Sequence, residues 1–232
     1  MFLFYTEQIS DNTLVITGDE HLHCSTVLRK KPADIISVTD GNGYIYTSQI
    51  TVIAKSKTEC QILDSTYQNP IIPEISIAIS PTKNISRLEW FLEKSTEIGI
   101  SSIYLVMTKR TERKTVNLQR LEKILISAMK QSLQTHIPKI KIVSFKELLK
   151  SVQNQYDQKY IAHCDKPEMS LKTLYNSDSS AILLIGPEGD FTKDEVNSAL
   201  EHGYQEVSLG NMRLRTETAG LAGLFYMRYP KI

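Results

Sequence analysis

The chain has 232 residues, of which 41% are hydrophobic and 23% charged, a composition that fits one large or two small globular domains. Its 27 basic and 26 acidic residues give a net charge of +1, which excludes the strongly basic composition of a bulk nucleic-acid binder. No apolar run is long enough to span a membrane, the first residues do not resemble a signal peptide, and the three cysteines favour a reducing cytoplasm over a disulfide framework.

The N-terminal part of the chain is predicted to form short β-strands. Strands at 35–38 and 44–53 flank the sequence Asp-Gly-Asn-Gly at 40–43, which is typical of a tight hairpin turn. Another strand is expected at 59–63, and one or two helical turns at 20–28. Several short strands joined by turns predict a small β-barrel.

A break in the pattern follows this region. Residues 65–74 contain two prolines and show little hydrophobic periodicity, which is typical of a linker. We therefore predict one domain over residues 1–69 and a second over residues 74–232.

The second domain alternates between apolar strands and amphipathic helices. The predicted strands lie at 75–80, 103–107, 140–143, 160–163, 181–185 and 207–209. Because these strands are almost continuously apolar, we expect a parallel sheet with helices covering both faces.

Local signals indicate where the helices begin and end. Three pairs have the spacing of a capping box, in which a Ser or Thr caps the helix and a Glu lies three residues later: Ser86 with Glu89, Ser144 with Glu147, and Thr192 with Glu195. Asn117 is expected to open a helix, and the last helix is expected from about Thr216. Gly99 and Gly203 stand where left-handed C-caps are expected.

Two sequences follow strands of the predicted sheet and are candidates for a ligand site. They are IGPEGD at 185–190 and SLGNMRLRTETA at 208–219. Ligands of open α/β sheets bind at the carboxyl ends of the strands. Glu188 and Asp190 make the first turn a poor phosphate site, but S-adenosylmethionine, with a net positive charge, is compatible with it. An ordinary tight turn between a strand and a helix is the alternative.

The two sequences resemble the paired motifs of the SPOUT methyltransferases. More narrowly, the chain resembles the RsmE family, which methylates N3 of a uridine, position 1498 in the usual numbering, in the 16S RNA of the small ribosomal subunit. The resemblance covers nearly the whole chain, in the expected order. Its other parts are Gly18-Asp19-Glu20 with His23 and 27–29, the turn at 40–43, Lys83 with 93–99, and 109–113.

The resemblance implies a fold and a cofactor site. The fold would be a SPOUT-type α/β parallel sheet with a C-terminal trefoil knot, preceded by a small PUA-like β-barrel that binds RNA. The family forms homodimers. The cofactor S-adenosylmethionine would lie against nine residues of the knot: Ile185, Gly186, Glu188, Gly189, Leu209, Gly210, Leu214, Arg215 and Thr218.

Catalysis is expected to depend on a guanidinium group beside the target base. Loss of the N3 proton makes a uracil anion, which a fixed guanidinium stabilises. Arg215 is the first candidate and Arg213 the second. For Arg213, pairing with a phosphate or carboxylate at the start of a helix is an equally good interpretation. Glu217 is a weaker candidate for a general base, because a carboxylate in the first turn of a helix is also favoured by the helix dipole. Thr218 could donate to the cofactor or merely cap the helix.

Basic residues on both domains are candidates for RNA contacts, although each taken singly could simply be part of a solvated surface. They are His23, Arg29 and Lys30 on the barrel, and Lys83, Arg110 and Arg113 on the second domain. No metal site is expected, because neither the histidines and cysteine at 21–24 nor the pair at 163–164 has the spacing of a structural zinc site.

Three positions depart from the family pattern. Gln134 stands where the family usually has an arginine, no arginine lies in the first residues, and Asp190 replaces a glycine. The missing arginines keep open an alternative: a non-catalytic RNA-binding or ribosome-assembly protein with the same fold.

Overall fold

The computed structural model describes residues 2–165 and 168–230. Contacts divide the chain into two compact units. The first unit takes the residues up to Pro70 together with Ile126–Ile137, and the second takes Ile71–Leu125 and the residues from Pro138 onward. The domain bounds 1–69 and 74–232 stay a prediction, to which the structure adds the grouping of Ile126–Ile137 with the N-terminal residues.

The first unit contains a six-stranded mixed sheet, which forms a half-barrel. The strands are β1 (Leu3–Tyr5), β2 (Ile9–Ser10), β3 (Thr13–Thr17), β4 (Ile35–Thr39), β5 (Tyr44–Ile53) and β6 (Lys57–Tyr67), in the order β1-β4-β5-β6-β3-β2. The β1–β4 pair is parallel, and the others are antiparallel. Helix α1 (Gly18–Leu22) continues as a π-helical turn at His23–Val27.

The predicted hairpin between β4 and β5 is confirmed. Gly41 and Gly43 have φ angles of 74° and 108°, in the left-handed region that glycine adopts at little cost. The side chains that the sheet buries form the core of this unit: Phe4, Leu14, Ile16, Cys24, Ile36, Val38, Ile50 and Cys60. The unit therefore folds around its own apolar core.

The second unit is built on a six-stranded sheet in which every pair of strands is parallel, as predicted. The strands are β7 (Ile75–Ile79), β8 (Ser102–Met107), β9 (Lys139–Ser144), β10 (Gln158–Ala162), β11 (Ala181–Ile185) and β12 (Gln205–Val207), in the order β12-β10-β11-β7-β8-β9. Strands β8 and β9 lie on one side of β7, and β11, β10 and β12 lie on its other side. The strand order therefore reverses between β7 and β11.

Helices cover both faces of this sheet. The helices of this part of the chain are α2 (Ile85–Ile98), α3 (Leu118–Gln131), α4 (Phe145–Ser151), α5 (Leu171–Leu174), α6 (Lys193–Glu201) and α7 (Thr216–Arg228), of which α3 is divided between the two units. On one face, side chains of α4 and α6 pack against Tyr104, Ile182 and Leu184. Helices α2 and α7 pack together, and α7 also lies on β7 and β11. Within residues 2–165 and 168–230, no helix combines the length and apolar character needed to span a membrane.

Helix α7 lies unusually close to the sheet because of two glycines. A Cβ atom at Gly223 would lie 2.2 Å from a methyl carbon of Leu183, and one at Gly220 would lie 2.8 Å from the ring of Phe91. Only a residue without a side chain allows this approach. Gly223 thus lets α7 approach β11, and Gly220 lets it approach α2.

Several predicted boundaries were wrong in detail. Helix α2 is capped by Asn84, whose side chain accepts a hydrogen bond from the main-chain N–H of Ser86, so the predicted Ser86–Glu89 box is not formed. The boxes at Ser144 and Thr192 are confirmed, as is the left-handed C-cap Gly99. Strand β6 extends to Tyr67, into the predicted linker, and β12 ends at Val207, before Leu209.

Candidate active site

A cavity of about 950 Å³ lies at the carboxyl edge of the parallel sheet. Its walls come from three segments, each of which continues from a strand: residues 162–164 after β10, residues 185–188 and 190 after β11, and residues 207–216 and 219 after β12. These three strands are neighbours, so their carboxyl ends meet where the strand order reverses. This is the position at which open α/β sheets bind ligands.

The cavity brings together most of the residues that the sequence predicted for the cofactor and for catalysis. Those that line it are Ile185, Gly186, Glu188, Leu209, Gly210, Arg213, Leu214 and Arg215. Gly189 lies in the same turn but does not line the cavity, and neither do Glu217 and Thr218 in the first turn of α7. The two motif sequences, which are separated in the chain by residues 191–207, therefore form parts of one site.

Sequence reasoning missed the contribution of β10. Ala162, His163 and Cys164 line the cavity, as do Ser208 and Met212 in the loop before α7. The signal that could have found the first three was the neighbouring position of β10 and β11, since the ends of adjacent parallel strands lie at the same edge. The sequence alone did not give the strand order.

The turn after β11 is held by Asp190. This residue has a φ of 62°, a left-handed conformation that asparagine and aspartate tolerate better than most residues. One carboxylate oxygen accepts a hydrogen bond from the main-chain N–H of Cys164 (2.8 Å) and the other from the N–H of Phe191 (2.8 Å). Aspartate can therefore stand here in place of glycine, and its carboxylate joins the ends of β10 and β11.

The loop between β12 and α7 presents two exposed arginines to the cavity. Arg215 is the N-cap residue of α7, and its carbonyl accepts a hydrogen bond from the N–H of Ala219 (2.7 Å). Among the described residues, neither Arg213 nor Arg215 has a hydrogen bond or ion pair from its guanidinium group. Both side chains can therefore bind an anionic or carbonyl-bearing ligand without losing an internal partner.

Comparison with known proteins identifies the family. The model of the RNA methyltransferase domain matches residues 68–228, and that of the RNA methyltransferase PUA domain matches residues 16–63. The chain belongs to the RNA methyltransferase family. Ribosomal RNA small subunit methyltransferase E of Bacillus subtilis is 28% identical over 94% of this chain and 90% of its own length.

Solved structures of RNA methyltransferases match both units of the chain. The probable rRNA-methyltransferase from Porphyromonas gingivalis is 34% identical, with a TM-score of 0.90, over 100% of this chain and 98% of that chain. A ribosomal RNA small subunit methyltransferase E from Neisseria gonorrhoeae, solved bound to S-adenosyl methionine, is 29% identical, with a TM-score of 0.85, over 98% and 97% of the two chains. The predicted SPOUT-type α/β fold with a preceding PUA-like domain is confirmed.

Glu217 has a structural partner in this methyltransferase. Its carboxylate is buried and lies 3.7 Å from Nε of Arg87 on α2, so it joins α7 to α2. Since Glu217 does not line the cavity, its position favours a structural role over that of a general base.

His163 links the ends of two strands beside the cavity. Its Nε2 lies 2.7 Å from a carboxylate oxygen of Glu206 on β12, and its Nδ1 accepts a hydrogen bond from the N–H of Asp165 (3.3 Å). Because Nδ1 accepts a hydrogen bond, the ring proton lies on Nε2. The Nε2–H group then donates a hydrogen bond to Glu206. Among the described residues, no group of three or more His, Cys, Asp or Glu side chains is placed to hold a metal ion.

The predicted RNA-binding residues of the second unit lie in loops beside the cavity turn. Arg110 donates to the carbonyls of Gly189 and Phe191, and Arg113 donates to the carbonyls of Thr82 and Lys83. The ammonium group of Lys83 pairs with Glu112 (2.9 Å) and is largely exposed. The two arginines therefore hold loops together.

The predicted RNA-binding residues of the first unit lie at α1 and the turn that follows it. The ring of His23 contacts the rings of Phe2 and Phe4, with centroids 6.0 and 5.8 Å apart. Arg29 is exposed and has a φ of 52°, and the N–H of Lys30 donates to the carbonyl of Cys24. Of these three residues, Arg29 is the most accessible to a ligand.

Proposed function

We propose that this protein methylates N3 of a uridine, position 1498 in the usual numbering, in the 16S RNA of the small ribosomal subunit. The observation that carries the proposal is the position of Arg215, which has no guanidinium partner among the described residues and lies at a cavity formed by both motif sequences. The methyl donor is S-adenosylmethionine.

The cavity fits this donor in size and chemistry. A volume of about 950 Å³ lies within the usual range of small-molecule sites. Glu188 and Asp190 line the cavity, and their carboxylates favour a ligand that carries a net positive charge. Ile185, Leu209 and Leu214 supply apolar wall, and Gly210 leaves the main chain open to close approach. These residues would hold the donor, which supplies an electrophilic methyl group on a sulfonium when bound.

The residues of this chain contribute orientation and charge to the reaction. The N3 position of uridine carries a proton at neutral pH, and losing it spreads negative charge over N3 and the two flanking carbonyl oxygens. We assign Arg215 to these oxygens, because a guanidinium is always charged and offers paired planar donors. Arg213 is the second candidate, and no general base is assigned. Glu217, whose carboxylate faces Arg87, is the weaker candidate for a general base.

RNA binding is assigned to exposed cations on both units. In the first unit Arg29 is the exposed cation, and the assignment also includes Lys30, which is half-buried, and His23, whose ring packs against Phe2 and Phe4. In the second unit Lys83 is the exposed candidate. Phosphate contacts from these residues would position the RNA, and the target base would have to leave its stack to reach the cavity.

Three further features belong to the proposal: a homodimer and a C-terminal trefoil knot, which the family resemblance implies, and a cytoplasmic location, which the three cysteines favour. The knot would pass through the two motif loops that form the cavity. The homodimer would complete each active site with the surface of the second subunit.

A transfer assay tests the proposal. Purified protein and labelled S-adenosylmethionine are mixed with small ribosomal subunits that lack the modification, and separately with naked 16S RNA. Mass spectrometry of the nucleosides is expected to show 3-methyluridine. If the cofactor binds but neither substrate yields a methylated nucleoside, the non-catalytic RNA-binding alternative replaces the enzyme.

A further inference from the structure

The turn that forms one wall of the cavity is fixed by its neighbours. Lys83 donates its main-chain N–H to a carboxylate oxygen of Glu188 (3.0 Å), and Asp190 accepts from the N–H of Cys164 (2.8 Å). Within the turn, the N–H of Asp190 donates to the carbonyl of Pro187 (2.9 Å). Segments that follow β7, β10 and β11 thus meet at this turn, and its geometry depends on contacts from outside it.

Arg110, in the segment after β8, supplies the remaining contacts. Its Nη1 donates to the carbonyl of Gly189 (2.8 Å) and to the carbonyl of Phe191 (3.2 Å). A Cβ atom built on Gly189 would lie 3.6 Å from both Cβ and Cδ of Arg110, so the aliphatic part of the side chain lies against the glycine. The arginine therefore binds the main chain on both sides of Asp190.

These contacts bear on the cavity directly. Glu188 and Asp190 both line the cavity. They are the two neighbours of Gly189 in the chain, and Arg110 binds the Gly189 carbonyl. Charge-assisted hydrogen bonds are stronger than neutral ones, and two of them to a short turn restrict its main chain. A turn held in this way loses less conformational freedom when a ligand binds.

We propose that Arg110 is a positioning residue for the cofactor-binding turn and that it acts on the affinity for S-adenosylmethionine, not through a contact with RNA. The inference rests on the proposed function, since it names the ligand of the same cavity. For a contact with an RNA phosphate, Nη1 of Arg110 would have to give up its hydrogen bonds to two carbonyls. Otherwise, the other N–H groups of the guanidinium would have to reach the phosphate.

Arg110→Ala and Arg110→Lys test this role, with Lys109→Ala as the matched control. Lys109 is exposed and adjacent, and its hydrogen bond to Glu195 comes from the main chain, so its replacement leaves the turn intact. Isothermal titration calorimetry with S-adenosylmethionine and filter binding with naked 16S RNA give the two affinities. Steady-state assays with small ribosomal subunits give KM for each substrate and kcat.

We expect Arg110→Ala to weaken cofactor binding about tenfold, as loss of about one net hydrogen bond implies, with KM for the cofactor raised to match. The affinity for RNA and kcat stay within about twofold. Arg110→Lys is expected to recover part of the affinity, because an ammonium keeps the charge and can reach one carbonyl. Lys109→Ala is expected to leave cofactor affinity unchanged.

Other outcomes overturn the inference. Weaker RNA binding with unchanged cofactor affinity in Arg110→Ala makes the residue an RNA contact. A lower melting temperature with unchanged KM values makes its role one of fold stability alone. If Arg110→Ala does not fold, the Arg110→Lys variant tests the proposal. Wild-type affinity for S-adenosylmethionine together with weakened RNA binding in Arg110→Lys would contradict it. If the wild-type protein does not bind S-adenosylmethionine, the proposed function itself fails, which is distinct from these results.

Discussion

The carboxylate of Asp190 accepts a hydrogen bond from the main-chain N–H of Cys164, with 2.8 Å between the two atoms. These residues follow adjacent parallel strands, and both line the cavity. A residue that departs from the glycine of the family pattern therefore contributes a bond that glycine cannot make. Replacement of Asp190 by glycine would lose this bond but would relieve the strain of the left-handed φ of 62°, so the two effects oppose each other in that variant.

Replacement of Asp190 is expected to separate these two effects. Asp190→Ala loses the carboxylate bonds and keeps an unfavourable main-chain conformation, which costs about 1–2 kcal/mol. Asp190→Gly loses the bonds but removes the strain. We expect cofactor affinity, measured by calorimetry, to fall about tenfold in the alanine variant and about threefold in the glycine variant. Asp178→Ala, at an exposed position before β11 that does not line the cavity, is the control, and equal affinities in all variants would contradict this role for Asp190.

Loss of Arg215 is expected to affect the chemical step. Removing a donor that stabilises charge in a transition state costs about 100-fold in kcat. We therefore expect Arg215→Ala to lower kcat by about this factor in single-turnover assays with saturating cofactor, and Arg213→Ala to have a smaller effect of about tenfold. Arg120→Ala, which removes a surface contact to Glu89, is the control with near-normal rate. A normal rate in Arg215→Ala would reassign the anion-stabilising role.

Glu217 is expected to act on stability. In Glu217→Gln, α7 loses its charge interaction with Arg87, and we expect unfolding in urea to become easier by about 1 kcal/mol. Arg87→Gln is expected to have a similar effect, and the double variant should be less destabilised than the sum of the two. Since the carboxylate lies outside the cavity lining, kcat should remain within about threefold of the wild-type value. A fall of about 100-fold with a changed pH profile would instead indicate a general base.

Cys164 is expected to react slowly and to be protected by a ligand. Cys164 is exposed, but partial desolvation at the cavity wall and the nearby Asp190 carboxylate raise the pKa of its thiol, with Arg213 acting in the opposite direction. A raised pKa leaves less thiolate at neutral pH, so alkylation by iodoacetamide should be slower than for a free cysteine and should accelerate as the pH rises through the thiol pKa. Because Cys164 lines the cavity, S-adenosylhomocysteine should slow the reaction further.

Peptide mass spectrometry locates the label. Cys24 and Cys60 are buried, and burial raises the pKa of Cys24 and raises that of Cys60 to about 12, so both should stay unlabelled in the folded protein. Cys164→Ser should abolish labelling. A ligand that does not protect Cys164 would place the cofactor away from this part of the cavity wall.

Hydrophobic patterns predicted the elements of the second unit well because its central strands β7, β8 and β11 are buried on both faces. β7 and β11 are buried at every position, and their apolar runs are visible in the sequence. The start of α2 was harder, since Asn84 and Ser86 are both good caps and only the main-chain geometry selects the former. A small β-barrel was predicted from the short strands and turns, including the turn with Gly41 and Gly43, and the structure shows a half-barrel.

The candidate site was predicted only where its residues are consecutive in the chain. The two motif sequences contain Ile185, Gly186, Leu209 and Arg215, all of which line the cavity. The contributions of His163 and Arg110 depend on strand order and on contacts between loops, which spacing along the chain does not reveal. Family resemblance suggested RNA contacts for Arg110, whereas its hydrogen bonds place the guanidinium on the turn.

The position of the transferred methyl group shows whether this protein methylates N3 of a uridine in 16S RNA. Small ribosomal subunits that lack the modification would be methylated by the purified protein, and their 16S RNA would then be digested for nucleoside mass spectrometry and copied by reverse transcriptase. A methyl group on N3 blocks base pairing, so we expect 3-methyluridine and one new stop beside a single uridine. Methylation of another base or of a ribose, or no methylation while S-adenosylmethionine is bound, would contradict it.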